Sequence, residues 1–242
     1  MSTNDNTTGM SDRMKPFVLR VTARDIRRRS VLLKVFGIIC LAATLVLGTF
    51  YALSAFVNKA GNFTVFVPDG GSRLITLSNT SDFQTFSTML EADSIPEMDN
   101  ITKSWMPATL DQIDGAHNGE NYIAHTFYLK NVGEEEISYS TQIDIHSVTK
   151  ETDNAIRVMV IKNGVETVYA KAQKGSTEPE PDTVAFLSNT QVMTDVTENF
   201  TPEDVDKFTV VIWLEGEDPE CVDDIKGGVV KMSMNFKILE ND

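Results

Sequence analysis

Two kinds of hydrophobic pattern divide this chain. Residues 35–57, VFGIICLAATLVLGTFYALSAFV, form 23 positions without a charge, Asn, Gln or Pro. Beyond them, apolar residues come in short alternating or continuous runs broken by Gly, Pro, Asn and Asp, the pattern of strands and turns. The long run predicts a single helix. At about 1.5 Å per residue it reaches about 34 Å, enough to cross a hydrocarbon core of about 30 Å.

The short runs predict about eight strands. Residues 63–67 and 74–77 flank the turn sequence PDGG and read as a hairpin. Residues 78–119 carry no clear period. Pro96 and Pro107 break them, residues 83–90 fit either a helix or a strand, and Trp105 is the expected contact to the sheet. Residues 121–130 predict a strand. Residues 137–148 place Ile137, Tyr139, Thr141, Ile143 and Ile145 on one face. Residues 155–161 and 165–170 flank Asn163-Gly164, a strong hairpin signal, and are followed by a polar loop over 171–182. A strand is expected over 184–192. FTVVIWL at 208–214 suits a strand covered on both faces. In 230–238, Val230, Met232, Met234, Phe236 and Ile238 alternate with polar residues, as in a half-exposed antiparallel strand. The fold class expected is all-β, an antiparallel β-sandwich of jelly-roll or Ig-like type, tethered by one N-terminal transmembrane helix. A closed barrel is the second choice.

Charge gives this layout a direction. Up to residue 57 there are eight Lys/Arg against three Asp; from 58 onward there are 13 against 32 Asp/Glu, a balance of −19. Arg27, Arg28, Arg29 and Lys34 precede the apolar run, and only Lys59 follows it closely. The positive-inside rule then predicts a cytoplasmic basic stub over 1–30, a transmembrane segment over 31–57 that meets the lipid bilayer through 35–57, and an extracellular domain over 58–242. Twelve of the 23 residues are Leu, Ile, Val or Phe, which favours insertion by roughly 4–7 kcal/mol. The competing reading is a cleaved leader, with Ala52-Leu53-Ser54 as a small-x-small site. So acidic a domain disfavours nucleic acid as a partner. The cysteines, Cys40 and Cys221, fall on opposite sides of this division, so no disulfide is expected and the core must hold the fold.

Candidate chemistry is sparse. The histidines, His117, His125 and His146, form no HExxH or other metal-binding spacing, and no GxSxG, P-loop or dinucleotide fingerprint occurs. His146 should point to water. Cys221 sits among carboxylates, which raise a thiol's pKa, and reads as a small buried filler rather than a nucleophile. The chain therefore reads as a non-enzyme without catalytic or cofactor-binding residues. WLEGEDPECVDDIKGG at 213–228 holds six carboxylates within ten residues. Glu215, Asp218, Glu220, Asp223 and Asp224 are candidate calcium ligands, since a hard cation takes six to eight oxygens. The spacing fits no EF-hand, and an acidic solvated loop is the commoner explanation. Trp213 should anchor the core edge, and Gly216, Gly227 and Gly228 should supply turns.

The ending FTVVIWLEG…GGVVKMSMNFKI and, less specifically, NYIAHTFYLKNVG resemble uncharacterised single-pass surface proteins of Gram-positive Firmicutes. More distantly the plan is similar to camelysin and TasA-type matrix proteins, secreted β-sandwiches, some of which form biofilm fibres. Those usually carry a cleavable leader, whereas this span looks retained. The resemblance implies a cell-surface β-sandwich and transfers no active-site residue. The expected function is a non-catalytic surface or envelope interaction and adhesion module, engaging an envelope protein or polymer, with homo-oligomerisation open to it. The alternatives are a biofilm-matrix-like structural subunit, and a surface hydrolase or metalloprotease, which would need His125 and His146 to converge with a carboxylate.

Overall fold

Strands that are apolar on both faces need cover on both sides, and that demand organises the larger part of this protein. In the computed structural model the described residues are 35–42, 44 and 63–239, except 69, 70, 72 and 96. The chain divides into two units, Met1–Val57 and Asn58–Asp242. In the first, residues 35–42 and 44 are helical. No helix among the described residues is long and apolar enough to cross a membrane; the stub and the remainder of the expected span lie outside the described residues.

Among the described residues the second unit contains twelve strands. They are β1 (Phe63–Phe66), β2 (Ile75–Ser78), β3 (Met89–Glu91), β4 (Gly115–Ala116), β5 (Tyr122–Asn131) and β6 (Ile137–Val148). After them come β7 (Ile156–Lys162), β8 (Val165–Ala170), β9 (Val184–Ala185), β10 (Gln191–Phe200), β11 (Val205–Leu214) and β12 (Val230–Leu239). One sheet runs β10-β6-β12-β1-β3 and the other β2-β5-β11-β7-β8-β9, with β4 beside β2 on the free edge of β5. The two form a β-sandwich. The sheets are mixed rather than antiparallel, because β1 runs parallel to β12 and β9 parallel to β8.

Alternation explains which side chains meet. Ile123, Phe127 and Leu129 of β5, Phe208, Val210 and Ile212 of β11, and Tyr139 and Ile143 of β6 all enter the space between the sheets. There the Phe127 and Phe208 rings stack at 5.6 Å, and Phe236 meets them edge-on at 6.1 and 5.2 Å. Pairs of this kind are worth about 0.5–1.5 kcal/mol each beyond area burial. The opposite face of the seven-stranded sheet presents Ala124, Met159, Ile161, Val211 and Trp213, and Ile101 and Leu110 from the irregular segment cover them. Both cores lie wholly between Phe63 and Ile238, so the unit carries the core that independent folding requires.

Two segments change sheets. Ser87 bridges Leu77 of β2, while Met89–Glu91 pairs with β1 in the other sheet. Likewise β9 pairs with β8, and β10 then pairs with β6. This corrects two expectations. The 63–67 and 74–77 runs do not form a hairpin, because β12 and β5 offer each of them a longer apolar neighbour. Instead of one strand over 184–192 there is a two-residue β9 and a ten-residue β10. Trp105 is 76% exposed, and Met106 and Leu110 make the contact expected of it. β12 is more covered than its alternation suggests. Ser233 meets His146 Nε2 at 2.6 Å, and Asn235 donates to Asp144 Oδ2 at 2.8 Å.

The β7–β8 hairpin forms as expected, with Asn163 at φ 51° and Gly164 at φ 82°. Nothing lies within 4 Å of a Cβ built at Gly164. The expected cost of Gly164→Val is therefore conformational alone, about 1–2 kcal/mol, measurable as a lower urea midpoint with an unchanged m-value.

Candidate functional site: the acidic loop and the cleft beside it

The loop joining β11 to β12 is tied at both ends. Gly216 N donates to Ile101 O at 3.0 Å and Glu215 N to Ala155 O at 2.9 Å. At its far end Val229 N donates to Thr149 Oγ1 at 2.8 Å, and Thr149 N to Val229 O at 3.0 Å. Gly228 is required there, because a Cβ would fall 1.7 Å from Thr152 Oγ1.

One side of the loop is clamped by a buried cation. Arg157, opposite Trp213 on β11 and Ala170 on β8, is 5% exposed. Its Nη2 lies 2.6 Å from Asp218 Oδ2 and 3.9 Å from Glu180 Oε2. The contact to Asp218 is ionic, with no N–H directed at Oδ2; Asp218 Oδ1 accepts the Glu220 amide at 2.8 Å. Glu220 Oε1 in turn accepts the Lys174 amide at 3.1 Å, joining the loop to 171–182. Oxygens of Glu180, Asp218 and Glu220 lie within 4.8 Å of one another. Burial, reinforced by Asp218, holds the Glu180 carboxyl above its ordinary range despite Arg157. Three carboxylates so spaced make a hard-cation donor set, but here the guanidinium supplies the positive charge.

Of the five calcium candidates, only Asp218 and Glu220 come together in this cluster. Glu215 accepts the Trp213 indole N–H at 3.0 Å, Asp223 pairs with Lys226 at 2.8 Å, and Asp224 is exposed. Sequence reasoning missed Arg157 and Glu180. The available signal was a guanidinium in the middle of AIRVMVIK, a strand otherwise destined for burial, which must find a carboxylate.

On its other side the loop borders a cleft of about 620 Å³ at one end of the sandwich, entirely within the second unit. Ile123, Ile156, Ile212 and Leu214 from one sheet and Val230 and Met232 from the other form its floor. Ile95 and Met98 cover it, and Glu97, Asp99, Asp223, Lys226 and Lys231 stand at its rim. Cys221 lines the cleft and is half-buried, rather than filling the core as expected. Burial and then the nearby Asp218 push its thiol pKa up, Glu215 and Asp99 adding to the effect while an Asn100 hydrogen bond opposes it. That environment suits a neutral thiol, not a nucleophile.

His125 and His146 do not converge. His125 is fully buried on β5, with Nε2 2.8 Å from Asn79 Oδ1 and Nδ1 unpaired. His146 lies on β6 in the other sheet, exposed as expected and paired with Ser233. His117 Nδ1 lies 2.8 Å from Gly115 O. Burial lowers the pKa of His125 to about 4, His117 adding to the effect and Asp93 opposing it.

No protein-family model and no curated protein matches this chain. Among solved structures it is similar to Kluyveromyces marxianus β-glucosidase in complex with glucose, at 10% identity and a TM-score of 0.26 over 69% of this chain and 16% of that one. A second structure of the same enzyme, labelled with selenomethionine, gives 10% identity, a TM-score of 0.25, and 70% and 17% coverage. The chain thus spans about a sixth of the length of those structures.

Proposed function

We propose that this chain is a membrane-anchored, non-catalytic binding module whose acidic β domain stands outside the cell and engages an envelope protein or polymer. The observation that carries this reading is the cleft. A concavity of about 620 Å³ with an aliphatic floor and a few polar groups at the rim has the size and make-up of a ligand seat. Arg157 secures the loop that forms one wall, so the seat is held in shape before anything enters it. The anchor rests on the uncharged run at 35–57 and the arginines before it. The strong negative charge of the outer domain keeps it off anionic lipid surfaces.

The test is site-directed photo-crosslinking in intact cells. A photoreactive residue in place of Val222, at the exposed edge of the cleft, should give a discrete adduct with an envelope component. One in place of Glu198, exposed on β10, should not. Equal adducts from both positions, or none from either, would refute the binding reading.

A further inference from the structure

We infer that the cleft receives an aliphatic chain carrying one cationic head, so that the envelope component recognised bears such a group. This rests on the cleft being a binding site and goes further in naming the chemistry that fits it. The first ground is shape and composition. The lining contains Ile, Leu, Val and Met but no Phe, Tyr or Trp. A flat aromatic ligand would find no ring to stack on, and a cation no aromatic face; a flexible alkyl body meets the aliphatic floor and cover, with Ser94, Asn100 and Thr152 as polar neighbours. Met98 on the cover and Met232 on the floor are the side chains best able to adapt to such a body.

The second ground is charge. Lys226 pairs with Asp223 at 2.8 Å and also feels Asp99; Glu97, Asp99 and Asp223 set against Lys226 and Lys231 leave the rim one net negative charge, with Glu97 and Asp99 exposed. The field inside has the same sign. Asp218, Glu215 and Asp99 all act on the Cys221 thiol in the direction that disfavours its anion. The whole outer domain carries −19 formal charges, so an anionic amphiphile is repelled at long range and a cationic one attracted. A head group leaving the aliphatic floor reaches the rim carboxylates first.

The experiment uses residues 58–242, the unit that carries its own core. Dodecyltrimethylammonium, dodecyl maltoside and dodecyl sulfate, each below its micellar concentration, are titrated by calorimetry. Alkylation of Cys221 by iodoacetamide is followed in parallel as a report from inside the cleft. The expected result is one dodecyltrimethylammonium per chain, with an affinity about tenfold or more above that of the sulfate and a matching slowing of alkylation. Glu97→Gln combined with Asp99→Asn should erase the preference for the cation while leaving the maltoside unchanged. Met98→Trp, placed to fill the cleft, should abolish protection of Cys221.

Equal binding of all three surfactants, or tighter binding of the sulfate, would overturn the cationic head. Failure of every surfactant to slow alkylation would overturn the aliphatic seat. Should these outcomes coincide with a discrete adduct at position 222 in cells, the ligand class falls and the binding module stands. Absence of the adduct removes the module itself.

Discussion

Arg157→Leu is expected to lower the unfolding free energy by about 3–5 kcal/mol, the cost of stranding a buried charge. Asp218 has a fully buried side chain that contacts this guanidinium at 2.6 Å. Leucine fills much of the volume, so lost packing contributes little and the effect is electrostatic. Asp218→Leu in the same chain should recover part of the deficit, as when a buried ion pair gives way to apolar side chains.

Glu180→Gln should behave differently. Its carboxyl is held above the ordinary range by burial and by Asp218. For a carboxyl with a raised folded pKa, the favourable contribution is complete below the unfolded pKa and is lost as pH rises through the folded one. At neutral pH the substitution should therefore cost under about 1 kcal/mol or be slightly stabilising. Denaturant titrations of the four proteins at two pH values check all of this. A cost for Arg157→Leu no larger than that for Glu180→Gln would show that the clamp is unimportant.

Acid should destabilise the β domain well above the range in which carboxylates titrate. His125 is fully buried, and its pKa falls from 6.5 to about 4 on folding, chiefly through burial. A histidine with a depressed folded pKa contributes its full stability above the unfolded value and loses it as pH drops toward the folded one. The window is therefore about pH 6.5 to 4, and the loss about 3 kcal/mol. Asp82, lowered mainly by the Thr80 hydroxyl, and Asp223, lowered mainly by Lys226, give up their contributions only in the carboxylate range beneath it. His125→Gln keeps a polar partner for Asn79 and removes the titration. Its stability curve should be flatter than the parent's by about that 3 kcal/mol across the window. Parallel curves would mean that the imidazole charges without cost and that the cavity around it admits water.

Much of the sandwich was legible in the chain. The period of two in β6 placed Ile137, Tyr139, Thr141, Ile143 and Ile145 inward, and all five are buried. The run FTVVIWL within β11 is covered on both faces, by Phe236 of the facing sheet inside and by Ile101 and Leu110 outside. Asn163-Gly164 gave the one hairpin whose register follows from local geometry alone. Partners across long sequence distances were not legible. β1 pairs with a strand more than 160 residues away, and nothing in FTVF distinguishes that from pairing with its neighbour. β10 was misplaced because Thr194, Asp195, Glu198 and Asn199 are exposed along it, so only Val192, Met193 and Phe200 mark it as part of a sheet.

The carboxylates of 215–224 stand out by density, but density alone does not say which of them turn inward. Asp218 does so because Arg157 lies beneath it, and Glu180 joins from a loop whose residues 173–179 are exposed. The cleft could not be foreseen at all. Its cover, residues 94, 95 and 97–100, has no period, and the shape of the cleft depends on how those residues lie over the gap between the sheets.

The claim on which the proposed role depends most is that the acidic β domain faces the outside of the cell. Thr177, exposed in the loop before β9, offers a direct test as Thr177→Cys in a chain whose two native cysteines are serine. A membrane-impermeant maleimide should label it in intact cells to the same extent as in permeabilised ones. Labelling that appears only after permeabilisation would place the domain in the cytoplasm and contradict the proposed role.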